Sequence, residues 1–157
     1  MQVLKFGGSS VANAKNMNQV VSIVLEAVKK EPLVLVLSAM GGVTDALLQT
    51  GSMAEAGNES YQQVLKGLEQ KHLDAVRELL PIQQQSACLS QVKQKFNELE
   101  AISDGVFLLG ELSERTRDRM VSYGEILSSL IMAAKFQSIP IDQHWVDSRN
   151  LIKTNSH

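Results

Sequence analysis

The chain has 157 residues, 44% of them hydrophobic, which is enough to bury the core of one ordinary domain. Its formal net charge of -2 and scattered basic residues leave no electrostatic footprint for nucleic acid or an anionic membrane surface, so the expected partner is small. No apolar run reaches the roughly 20 residues a membrane-spanning helix needs, Met1 leads straight into an apolar segment, and the sequence reads as cytosolic.

Val3, Leu4 and Phe6 form a short apolar run that Gly7-Gly8-Ser9-Ser10 stops at once, a strand followed by a tight turn. From Asn13 to Lys30 the apolar positions recur near helical spacing, with Asn13 placed to cap the helix. Leu33-Val34-Leu35-Val36-Leu37 is uninterrupted and too short for a globular helix; such runs belong to parallel strands covered on both faces. Strand, helix and strand in this order predict a crossover unit of an α/β fold, with a mostly parallel sheet and helices on both faces.

After Ser38-Ala39-Met40-Gly41-Gly42 the pattern becomes helical. Thr44 to Ala56, Tyr61 to Leu80, Gln83 to Ile102 and Thr116 to Phe136 read as amphipathic helices, so residues 44–136 form a helical excursion. Gly57-Asn58, Pro81 and Asp104-Gly105 punctuate it. The Glu69/Lys71 and Lys93/Lys95/Glu98 groups read as solvated helix faces. Cys88 has no partner for an internal disulfide and reads as a plain helix-face residue. Pro140-Ile141 leads into an expected strand around His144-Trp145-Val146.

Three segments carry candidate chemistry. In Lys5-Phe6-Gly7-Gly8-Ser9-Ser10 the glycines let backbone N–H groups approach an anion, and a helix begins just beyond, so the turn suits phosphate, with Lys5 supplying full charge. Neither the Walker spacing nor the dinucleotide fingerprint is present, and Gly-Gly after a strand equally makes a plain turn. The loop Ser38 to Thr44 leaves the next strand of the same unit, at the strand ends where ligands bind in such sheets; Ser38 and Thr44 offer hydroxyls, and Thr44 also suits a helix N-cap. In Ser122-Tyr123-Gly124-Glu125 a glycine inside a good helix costs about 1 kcal/mol against alanine, which points to a close neighbour. Glu125, beside Ile126 and Leu127, stands at the edge of the core, although an isolated glutamate is usually a surface charge.

Together these segments resemble the aspartate kinases of the amino acid kinase family. Lys5 through Ala12 looks like the signature K-F-G-G-[ST]-S-V-A, Ser38-Ala39 through Gly42-Val43-Thr44-Asp45 is similar to the second loop, and Ser122 through Glu125 is similar to the S-x-G-E helix. Trp145 through Arg149 looks like the following strand end. The stretch Met1 to Ala14 also resembles the form fused to a homoserine dehydrogenase.

The resemblance implies transfer of the ATP γ-phosphoryl to the side-chain carboxylate of L-aspartate, with magnesium bound mainly through the ATP phosphates. By it, Lys5 contacts the transferring phosphoryl, Gly7, Gly8 and Ser9 cradle phosphate oxygens, Ser38 joins the phosphate or substrate contacts, and Thr44 and Glu125 hold the aspartate. Asp147 and Arg149 lie near enough in the pattern to shape the pocket. Ser9 stands where threonine is frequent and keeps the hydroxyl. The resemblance also implies a longer, homo-oligomeric protein, in which residues 1–157 would be the N-terminal, amino-acid-binding part of the catalytic domain. The end at Thr154-Asn155-Ser156-His157, without a closing element, is what a fragment would show. Two other readings stand beside this one: a sister kinase acting on glutamate, acetylglutamate, carbamate or a nucleotide, and a substrate-binding or assembly module with no turnover of its own.

Overall fold

Strand β1 (Gln2–Phe6) and strand β2 (Leu33–Leu37) pair in parallel, in register from Gln2 opposite Leu33 to Phe6 opposite Leu37, with helix α1 (Ala14–Val28) connecting them. The computed structural model describes residues 1–152; residues 153–157, among them the expected fragment end Thr154-Asn155-Ser156-His157, lie outside the described residues. Asn13 caps α1 as its position predicts: backbone there is extended, and the side-chain oxygen accepts from the Asn16 N–H at 3.0 Å. The inward stripe of α1 is Met17, Val20, Val21 and Val24, all buried.

The sheet departs from expectation. Among the described residues it has two strands, so "mostly parallel sheet" overstates it. Among the described residues only one of its faces is covered. Leu4, Phe6, Leu33, Leu35 and Leu37 pack on the core, whereas Val3, Val34 and Val36 on the other face are 61%, 45% and 44% exposed. Strand residues alternate between faces, so an all-apolar run such as β2 loads both faces whether or not the chain itself supplies two covers.

The remainder is helical: α2 (Val43–Glu55), α3 (Tyr61–Leu79), α4 (Ile82–Leu109) and α5 (Glu114–Gln137). Helices α2, α3, α4 and α5 pack on one another around Leu47, Tyr61, Val76, Phe96, Leu99, Leu127 and Ile131. Helix α4 runs through Asp104-Gly105, expected to interrupt it, and stops at Gly110, whose φ of +63° and N–H bond to the Val106 carbonyl make the C-cap. Burial of Ser103 and Val106 on either side outweighs the modest helix cost of Gly105. Helix α5 starts two residues earlier than its apolar pattern suggests, because the Ser113 hydroxyl caps it by accepting from the Thr116 N–H at 3.2 Å.

The expected strand at His144-Trp145-Val146 is not formed. Residues 141–147 are irregular and lie against α5, where the Trp145 indole N–H donates to the Ser129 hydroxyl at 3.1 Å. A strand requires a ladder partner, and this segment meets a helix instead.

Candidate active site

At the end of β1 the chain turns, and the Ser10 N–H donates to the Gly7 carbonyl at 2.9 Å. The Lys5 ammonium folds back over this turn: a Cβ built on Gly7 would lie 3.6 Å from Lys5 Nζ. Lys5 is exposed, on the same strand face as Val3. Farther along, the Asn16 side-chain amide donates to the Ser9 carbonyl at 2.7 Å and ties the turn to the first turn of α1.

The second loop leaves β2 beside the first. The Ser38 N–H donates to the Phe6 carbonyl at 3.1 Å, extending the ladder one residue past both strands. A Cβ on Gly8 would come 3.1 Å from the Ala39 carbonyl oxygen, and one on Gly41 would come 3.1 Å from the Ala12 Cβ. Glycine at both positions is thus what allows the loops to lie in contact. Gly42, with φ of +76°, is the N-cap of α2. Thr44 is therefore not the cap its residue type allowed; it is the second residue of α2, half-buried, and among the described residues its hydroxyl makes no hydrogen bond.

Helix α5 supplies the third side. Gly124 is buried against Ala39, Val43 and Leu47, so the close neighbour implied by a mid-helix glycine is the second loop with the start of α2. The half-buried Glu125 carboxylate accepts from the Ala39 N–H at 3.4 Å. One turn on, the buried Ser128 hydroxyl donates to the Ser38 carbonyl at 2.6 Å. Ala39 is the meeting point: Gly8 approaches its carbonyl, Gly124 its side chain, and Glu125 its N–H.

Sequence reasoning missed four contributors. Ser128 carries no signal in sequence, because it reads as any helical serine. Lys95 and Glu98 are not simply solvated. The Glu98 carboxylate accepts from Lys95 at 2.8 Å and from the Tyr123 hydroxyl at 3.0 Å, and although burial works to raise its pKa, these bonds bring it below the ordinary carboxylate value. Tyr123 moves the other way, raised by burial and by the Glu98 charge. Lys71, also assigned to a solvated face, donates to the Gly41 carbonyl in the second loop.

Asp147 and Arg149 come to the S-x-G-E helix. Arg149 grips the Asp147 carboxylate, with Nη2 to Oδ2 at 2.7 Å and Nε to Oδ1 at 3.0 Å, and its Nη1 reaches the Ser122 hydroxyl at 3.4 Å. The bonds from Arg149 hold the Asp147 carboxyl below its usual pKa, against a smaller effect of burial. Cys88 is buried on α4, and burial pushes its thiol up to about 11, which suits a packing residue and not a nucleophile.

Two shallow clefts flank the loops. One of about 270 Å³ lies between the Ser9-Ser10 turn and α1, bounded by Phe6, Asn16 and Val20. The other, of about 230 Å³, lies between Ala12, Met40 and Lys71. Neither includes Lys5, Thr44 or Glu125. Among the described residues, no three acidic, histidine or cysteine side chains converge to hold a metal ion.

The amino acid kinase family matches residues 1–157. The chain belongs to the amino acid kinase family. Within it, aspartokinase 1, chloroplastic, of Arabidopsis thaliana is 37% identical over 149 residues, covering 93% of this chain and 25% of that protein. Bifunctional aspartokinase/homoserine dehydrogenase 1, chloroplastic, of the same plant is 31% identical over 150 residues, covering 96% of this chain and 16% of that protein. Among solved structures, E. coli aspartokinase III in complex with aspartate and ADP has a TM-score of 0.86 to this chain at 25% sequence identity, covering 99% of this chain and 33% of that one. The same kinase with lysine and aspartate has a TM-score of 0.85.

The likeness to aspartate kinases read from the motifs is borne out by these relatives, and the two-stranded sheet with its helical layer is the matching part of the aspartokinase fold. This family member spans 25% and 16% of those two curated relatives, and 33% of the solved chain.

Proposed function

We propose that this chain is the N-terminal, amino-acid-binding part of an aspartate kinase catalytic domain, acting in transfer of the ATP γ-phosphoryl to the side-chain carboxylate of L-aspartate. The observation that carries the reading is the convergence of three separate segments on Ala39, with the Lys5 ammonium folded over the adjoining glycine turn. Support also comes from the solved relative, whose complex holds aspartate and ADP.

In this reading an aspartate side-chain oxygen attacks the γ-phosphorus, a new O–P bond forms, and the bond to the β–γ bridging oxygen breaks, so that ADP leaves with that oxygen and the product is the acyl phosphate 4-phospho-L-aspartate. A carboxylate with a pKa near 3.9 is ionised at neutral pH and needs no general base. The barrier lies in bringing an anion to a polyanion, which calls for positioning and positive charge. Lys5 meets the transferring phosphoryl, Gly7, Gly8 and Ser9 present backbone donors to phosphate oxygens, and the Ser38 hydroxyl joins the phosphate or substrate contacts. Thr44 offers its unengaged hydroxyl to the substrate, and the Glu125 carboxylate takes the α-amino group. Magnesium, in this reading, would come with the nucleotide phosphates and would offset part of their charge.

The open face carrying Val3, Val34 and Val36 supports the partial-domain reading, since exposed apolar surface beside a site calls for a cover. The homo-oligomeric state and the cytosolic setting belong to the same proposal; the plant relatives carry chloroplastic names, and no described helix is long and apolar enough to cross a membrane.

The test is acyl-phosphate formation, trapped with hydroxylamine as aspartyl hydroxamate in the presence of ATP and magnesium, comparing this chain with the gene product that carries it. Product that requires L-aspartate supports the proposal. Acceptance of glutamate or acetylglutamate in place of aspartate moves the assignment to a sister kinase. Aspartate binding without turnover in either protein makes the chain a binding module.

A further inference from the structure

We propose that Lys71 is a positioning residue for the substrate, setting the second glycine loop from outside the site; this rests on the aspartate kinase reading above. Lys71 lies on α3, half-buried, 30 residues along the chain from Gly41, and its ammonium donates to the Gly41 carbonyl. Carboxylates stand close by on the same helix: Asp74 and Glu78 line the same cleft. Among the described residues Lys71 nevertheless forms no ion pair, while Asp74 accepts from Arg77 and Gln70, each at 2.7 Å. A half-buried ammonium directed at a neutral loop carbonyl, with acids at hand, acts on that loop.

The effect on the loop follows from peptide geometry. No peptide bond of the described chain is cis. In a planar trans peptide the C=O and the following N–H point in opposite directions, so holding the Gly41 carbonyl toward α3 turns the Gly42 N–H away from α3. Gly42 has no Cβ to restrict it and sits at a φ of +76° with no side-chain cap, so the loop has few constraints of its own. Two other contacts bear on the loop: Gly41 faces Ala12, and Gly124 faces Ala39 and Val43. Lys71 therefore completes a clamp that fixes where α2 begins and where the Thr44 hydroxyl stands.

The experiment uses the gene product carrying this chain, with Lys71→Met and Lys71→Arg. Losing one charged hydrogen bond that acts on substrate placement raises the aspartate KM about tenfold in Lys71→Met, leaves kcat and the ATP KM within about threefold, and is largely recovered in Lys71→Arg. Amide exchange across residues 41–45 also becomes faster in Lys71→Met, and this readout needs no activity. An unchanged aspartate KM in Lys71→Met overturns the proposal, even if the melting temperature falls. If the wild type makes no aspartate-dependent product, the substrate reading has failed, and unchanged exchange across the loop overturns the clamp separately.

Discussion

Gly124 and Ala39 lie so close that a Cβ on Gly124 would stand 2.7 Å from the Cβ of Ala39. Real Cβ atoms do not approach so near, so helix α5 and the second loop meet at a distance that only glycine permits. The helix accepts the propensity cost of a glycine in exchange for bringing Glu125 within reach of the Ala39 N–H.

Gly124→Ala tests that contact. A solvent-facing helical glycine would gain about 1 kcal/mol on becoming alanine, whereas overpacking here costs about 1–3 kcal/mol and displaces the loop. Urea denaturation should show net destabilisation, accompanied by a higher aspartate KM. Equal or greater stability would mean that the interface has slack.

Ser128→Ala leaves the Ser38 carbonyl without the 2.6 Å bond that now satisfies it. An unsatisfied buried acceptor costs about 1–3 kcal/mol, and the half-buried Ser38 falls at the low end, about 1 kcal/mol. The same denaturation measurement should report a loss of this size, and no change would show that Ser38 finds another donor.

His72 makes stability depend on pH. It is fully buried against Phe96; Nδ1 bonds the Leu68 carbonyl at 2.7 Å, and Nε2 has no partner among the described residues. Burial lowers its pKa to about 4, with the Lys71 charge adding a little and the Leu68 bond opposing. The folded protein therefore keeps His72 neutral where the unfolded chain, titrating near 6.5, takes up a proton. This contribution to stability is complete above about pH 6.5 and is lost as pH falls toward about 4, amounting to roughly 3 kcal/mol over that interval. Denaturation midpoints should fall across this range. His72→Leu should flatten the slope whatever it does to absolute stability, and an unchanged slope would assign the dependence to other groups.

Cys88 should resist maleimide in the native state and react at the rate of unfolding, since its thiol is buried and its pKa pushed up to about 11. Fast labelling of native protein would contradict the packing of α4.

The strand–helix–strand opening was readable because its signals are local: an apolar run, a glycine turn, an asparagine cap. Gly124 was readable because a glycine inside a good helix needs a cause. Features that depend on distant partners were not. Nothing near Gly105 in sequence says that Ser103 and Val106 are buried, so the interruption placed there was wrong. His144-Trp145-Val146 has strand composition, but whether it pairs depends on where α5 lies. The second cover for β2, predicted from its apolar run, is a property of the strand and not of this chain. Thr44 looked like a cap because threonine often is one, while the glycine two positions earlier took that place. Lys71 and Ser128 act across 30 and 90 residues of chain, a separation that no window of sequence displays.

The central claim is that Lys5 and the loops around Ala39 serve phosphoryl transfer to aspartate. Its most direct test is steady-state aspartyl hydroxamate formation by the gene product carrying this chain, wild type against Lys5→Ala. The account predicts that kcat falls by about 10²-fold or more while the aspartate KM changes only a few-fold, because the charge acts mainly on the transition state. An unchanged kcat in Lys5→Ala would contradict it.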